Sequence, residues 1–151
     1  GTTITSLQAQ MDTLINFTDG GVNFKVGKSV NGSISGEQVV PYDSVKYDTE
    51  GGFDNTSPNY SYTINIAGTY VFSFGVGTYG DEFTMNLVRK RAGVETIIQQ
   101  LSNGGDLTSG TTYYLTAISS VELNDEIFVY LESGTIFINS YYSFNGSRIS
   151  G

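Results

Sequence analysis

The chain predicts an all-β sandwich or barrel. Three observations carry this: 19 glycines in 151 residues, 13% aromatic side chains, and apolar residues at every second position between Gly, Ser and Asn turns. Over 60–66 the alternation puts Tyr60, Tyr62, Ile64 and Ile66 on one strand face. Ala67-Gly68 then turns the chain, and Tyr70, Phe72, Phe74 and Val76 share a face of the next strand. A chain this long makes one domain and buries about two-thirds of its unfolded surface.

Taken in order, the first segment differs from the rest. Ile4, Leu7, Met11 and Leu14 are spaced as the a and d positions of a coiled coil, without Gly or Pro between them. A helix of about a dozen residues is marginal alone in water. Residues 1–21 therefore predict the end of a coiled-coil stalk and its linker, the other reading being a helix folded back on its own domain. From 22 to 151 the pattern is strands and turns. Asn31-Gly32-Ser33 and Ser35-Gly36 flank a short hairpin; Phe83, Met85 and Leu87 alternate, and Ala92-Gly93 turns into a strand over 94–101. Residues 102–110, with three glycines, read as a loop. Strands over 113–123 and 127–131 pair across a turn at Asn124-Asp125. In the second of these, Ile127, Val129 and Leu131 occupy one face, and Phe128 and Tyr130 the other. A strand apolar on both faces is covered on both. Phe128 and Tyr130 thus predict contact with a neighbouring subunit, as the seam of Ile4, Leu7, Met11 and Leu14 does.

Several motifs in order resemble one family. Gly51-Gly52-Phe53-Asp54, a strand, the Gly68-Thr69-Tyr70 corner and the Phe72-Ser73-Phe74 strand resemble the central signature of C1q-like domains, the globular heads of the C1q and tumour-necrosis-factor superfamily. Phe24-Lys25-Val26 resembles the family's first strand, and Val39 to Val45 a later one. Val121 to Val129 resembles the "L-x-x-G-D-x-V-W" motif, with Asn124 where Gly is usual, and Ser143 to Ile149 resembles the closing strand. Together they cover residues 22–149. The resemblance implies a ten-stranded jelly-roll sandwich that forms a homotrimer, carried at the tip of a collagenous or coiled-coil stalk. It also implies a Ca²⁺ site in some members, which carries over here to Asp106 with Gln100 or Asn103.

Chemistry is limited by what is absent. The sequence holds no His and no Cys, which removes serine–histidine triads, cysteine nucleophiles and histidine zinc sites. Asp81-Glu82 and Asp125-Glu126 are sequence neighbours and suit turns better than paired acid–base work. Gly75-Val76-Gly77-Thr78-Tyr79-Gly80 spells G-x-G-x-x-G, but the residues after it alternate like a strand, and a dinucleotide fingerprint needs a helix there. The net charge of −8 argues against nucleic acid and anionic membrane surfaces, and no apolar run is long enough for membrane insertion. What remains is recognition, not catalysis. Tyr79, Asp81 and Glu82 in one loop, and Arg89, Lys90 and Arg91 beside a turn, are the candidate ligand contacts. The expected protein is an extracellular, non-enzymatic trimeric head at the tip of a microbial or viral fibre or surface filament, binding a cell-surface glycan or protein receptor. The alternative is a domain that nucleates trimer assembly and binds nothing.

Overall fold

A computed structural model describes residues 21–104, 110–139 and 141–151. The coiled-coil positions Ile4, Leu7, Met11 and Leu14, and the calcium candidate Asp106, lie outside the described residues. Those described form twelve strands and no helix: β1 (Asn23–Gly27), β2 (Gly32–Ser35), β3 (Gln38–Val39), β4 (Ser44–Asp48), β5 (Phe53–Asp54), β6 (Ser61–Thr63), β7 (Gly68–Gly77), β8 (Phe83–Arg91), β9 (Val94–Ser102), β10 (Thr112–Val121), β11 (Glu126–Ile138) and β12 (Phe144–Ser150). Ten strands are predicted and twelve form. The excess lies in two-residue pairings, β3 and β5, too short to leave any alternation in the sequence.

The strands make two packed antiparallel layers. In the first, β4, β1, β12, β7 and β10 lie side by side. In the second, β9, β8, β11, β6 and β5 do so. β11 belongs to both. Its first half pairs with β8, and beyond the irregularity at Leu131 to Ser133 its second half pairs with β2 and touches β7 at Gly77. Gly134 makes that transfer possible. Its φ of 88° is left-handed, and a Cβ there would collide with the Glu82 carbonyl oxygen.

The inner faces meet in an aromatic core. Phe24 stacks on Tyr62 with ring centroids 4.0 Å apart and meets Phe144 edge-on at 5.0 Å. Tyr70, Phe72, Phe74 and Val76, the predicted inner face of β7, are all buried. Gly146 lets the layers close, since a Cβ there would lie 2.6 Å from the Phe24 ring and 2.7 Å from that of Phe72.

Three local predictions fail, each for a physical reason. Only Tyr62 and Ile64 of the 60–66 row enter the core; Tyr60 has a left-handed φ of 44°, which breaks the alternation, and Ile66 is exposed. The hairpin over 31–36 does not form. β2 and β3 both pair with β11, because Gly36 lies against that strand, its N–H donating to the Gly134 carbonyl at 2.9 Å. Nor do β10 and β11 pair with each other. β10 pairs with β7 and β11 with β8, so the Asn124-Asp125 turn carries the chain between layers. Asn124 there has a φ of 72°, the left-handed geometry in which Asn substitutes for Gly. The Ala92-Gly93 turn, by contrast, forms as predicted, with φ of 50° and 80° at its two central residues.

Candidate functional site

Because every long strand runs the length of the sandwich, its connections gather at two ends. β8 starts at Phe83 and finishes at Arg91, roughly 26 Å away at about 3.3 Å per residue. One end collects the β7–β8, β9–β10 and β11–β12 connections. The other collects the β8–β9 and β10–β11 turns, the start of β1 and the finish of β12. The first is called distal here and the second basal.

The distal β7–β8 loop is built around one buried hydroxyl. Thr78 Oγ1 accepts from the backbone N–H groups of Gly80 (3.2 Å) and Asp81 (3.0 Å) and donates to the Asp81 carbonyl (3.0 Å). Thr78 N–H donates to the Thr111 carbonyl, and Gly110 N–H to that of Thr78. This fixed turn holds Tyr79 outward, 61% exposed, its ring 4.9 Å from that of Phe137. Asp81 and Glu82 follow it, both exposed. The next strand is β8, not a helix, so the glycines of 75–80 offer no pyrophosphate site. A cleft of about 340 Å³ opens beside the loop, lined by Glu82, Phe83, Ser102, Asn103 and Gly134 among others.

Of the calcium candidates, Asn103 and Gln100 lie among the described residues, and both carboxamides bond within the chain. The Asn103 carboxamide accepts from Phe83 N–H at 3.4 Å and donates to the Asp81 carbonyl at 2.7 Å, tying two loops together. Gln100 Nε2 donates to Asn86 Oδ1 (2.9 Å) and Glu132 Oε2 (3.2 Å) on the outer face of the second sheet. No group of three acidic side chains among the described residues could hold a metal ion.

Arg89, Lys90 and Arg91 fall at the basal end, apart from Tyr79, Asp81 and Glu82. Arg91 is engaged there. Its guanidinium donates twice to Asp125, Nε to Oδ1 at 2.9 Å and an NH to Oδ2 at 2.8 Å, with Glu122 3.4 Å away. Asp125 is fully buried and also accepts from the Glu122 N–H at 2.8 Å. The Arg91 hydrogen bonds hold the Asp125 carboxyl below the usual carboxylate range, and the same bonds raise the Arg91 guanidinium. One cation of the triplet, Arg91, is thereby taken up in clamping the turn between layers; no salt bridge is made by Arg89 or Lys90 among the described residues.

The subunit-contact residues also separate. Phe128 is only 7% exposed within a single chain, so covering it needs no neighbour, and Tyr130 is half-buried. The outer face of the first sheet carries exposed apolar groups, and β9 of the second sheet exposes Val94 and Ile97 as well. Tyr114 (72% exposed) and Ile118 (66%) stand on β10, and Tyr47 on β4, with Val71 of β7 opposite Ile118. Tyr114 lies across Gly75, where a Cβ would come within 2.7 Å of its ring. Sequence reasoning missed this face because Thr116 and Ser120 interrupt the apolar pattern.

Comparison with known proteins places the chain. A family model described as the C1q domain matches residues 23–148. The structure is similar to the globular domain of zebrafish complement 1qA (TM-score 0.67, 15% identity, 85% of this chain and 97% of that one). It is also similar to Eiger TNF from S. frugiperda (0.63, 12%, 85% and 92%) and to murine APRIL (0.62, 9%, 85% and 98%). No curated protein matches the chain by sequence. The chain belongs to the C1q domain family, whose all-β jelly rolls are trimeric, typically extracellular and non-enzymatic globular heads that often bind ligands.

Proposed function

We propose that this protein is a homotrimeric recognition head on a microbial or viral fibre or surface filament, attaching to a cell-surface glycan or protein receptor through its distal loops. One observation carries the reading. The outer face of the first sheet exposes Tyr114, Ile118 and Tyr47 although the core beneath is already complete, and an apolar sheet face left in water calls for a cover. In a family of trimeric heads, that cover is two further copies of the chain. Trimerisation then presents three distal ends together, and avidity multiplies weak contacts. The cysteine-free, Asn-, Gly- and Thr-rich composition supports a fibre setting.

Sedimentation equilibrium tests the assembly. The wild type is expected to sediment at three times the 16.3 kDa chain. Ile118→Asp, which puts a charge on the exposed face, gives monomer, whereas Tyr130→Asp leaves the trimer intact. The reverse pair of results returns the interface to Phe128 and Tyr130, and a monomeric wild type overturns the reading. Cell attachment by the isolated trimer tests recognition; a trimer that never attaches leaves the domain as an assembly nucleus only.

A further inference from the structure

We infer that the distal end docks a cationic protein segment, an Arg or Lys side chain of the partner lying on the Tyr79 ring with Asp81 and Glu82 as its counter-charge. The inference rests on the recognition-head reading and names its partner's chemistry.

The first support is a rigid aromatic surface with no structural need to be wet. Tyr79 is 61% exposed yet fixed from behind by Phe137 and from below by the Thr78 turn. Tyr141, on the adjacent β11–β12 connection, is 87% exposed. Tyrosines held this way offer contact area at little entropic cost, and the ring face attracts cations.

The second support is charge placement. The whole sequence has seven Lys and Arg. Six of them (Lys25, Lys46, Arg89, Lys90, Arg91 and Arg148) lie along strands or toward the basal end. Lys28 alone reaches the distal end, and its ammonium sits 3.9 Å from the Asp43 carboxylate. Asp81 and Glu82 are exposed there, and among the described residues neither joins a salt bridge. A net charge of −8 adds long-range attraction for basic partners. The same field repels sialylated or sulfated glycans, and a neutral saccharide could hydrogen-bond the two carboxylates through its hydroxyls but would leave their charge uncompensated.

The test titrates the full-length trimer into a fluorescein-labelled nona-arginine peptide, read by anisotropy. Asp81→Asn/Glu82→Gln is compared with Glu50→Gln/Glu95→Gln, which removes two carboxylates near the basal end. Tyr79→Ala, which changes no charge, is expected to weaken binding roughly two- to fivefold, the value of an exposed cation–π contact. The distal double variant is expected to weaken it more and the basal one little, with affinity falling as salt rises. Equal losses from the two double variants, or an unaffected Tyr79→Ala, reduce the peptide's binding to net charge and overturn the proposal, as does tighter binding to neutral or sialylated oligosaccharides in a parallel arm. Cell attachment of the same preparations keeps the two readings apart. Attachment that depends on Tyr79 while peptide binding does not defeats the cationic partner and leaves the recognition head standing; a wild type that never attaches defeats the head.

Discussion

The two ends of the sandwich use charge and aromatic groups in opposite ways. At the basal end Arg91 and Asp125 are paired bidentately, and the carboxylate also holds the Glu122 amide. Arg91 and Asp125, two of the groups that look reactive in the sequence, are consumed in joining β8 to the β10–β11 turn. At the distal end the loop's backbone is satisfied by Thr78, so Tyr79, Asp81 and Glu82 are left facing water. The difference teaches that a charged triplet beside a turn and an acidic pair beside a turn are alike in sequence, and only their partners decide which is structural.

Breaking the basal pair should have the largest effect on stability. Asp125→Ala leaves a guanidinium and a backbone amide without their acceptor and should cost about 2–3 kcal/mol, read as a shifted urea midpoint, while attachment at low temperature stays as in the wild type. At the distal end Thr78→Val removes one hydroxyl that serves three backbone groups. It should cost about 1–2 kcal/mol and also weaken attachment, because Tyr79 loses its fixed pose. An Asp125→Ala variant that folds normally yet fails to attach would move recognition to the basal end.

How much was legible follows from the same contrast. The β7 row of Tyr70, Phe72, Phe74 and Val76 was readable because a long strand buried on one face must alternate. The Ala92-Gly93 turn was readable because its geometry restricts its residues. The partners of β10 and β11 were not, since alternation says which face is buried but not which strand lies alongside. The first sheet's exposed face stayed hidden because polar Thr116 and Ser120 share it with Tyr114 and Ile118. For Arg89-Lys90-Arg91 the sequence shows three cations; that Asp125, 34 residues on from Arg91, takes up one of them is a fact of the fold.

Acid should sharpen the contrast at the basal end. Asp125 is held below its ordinary value chiefly by the Arg91 hydrogen bonds, so its folded state binds the proton less readily than the unfolded chain does. Its contribution is complete above the ordinary carboxylate pKa of about 3.9 and is lost as pH falls through the lower folded value. The stability gap between wild type and Asp125→Asn, followed by urea unfolding, should therefore be wide at pH 6 and close as the pH drops below that point. A gap that stays constant across this range would mean the pair stabilises through packing instead of ionisation.

The smallest expected change in stability gives the cleanest separation of the two ends. Tyr79 and Lys90 both occupy surface positions where substitution should shift stability by no more than about 0.5 kcal/mol. Tyr79→Ala removes an exposed ring at the distal end and leaves the Thr78 turn intact, because that turn is held by the hydroxyl and the backbone. Lys90→Ala removes a basal cation from a strand whose pairing with Glu126 on β11 and Glu95 on β9 is made by backbone groups. Melting temperatures of the two variants should match the wild type. Attachment to cells should fall severalfold for Tyr79→Ala and remain unchanged for Lys90→Ala. If Lys90→Ala is the variant that loses attachment, the basic triplet recognises an acidic partner after all, and the distal end is only a well-ordered loop.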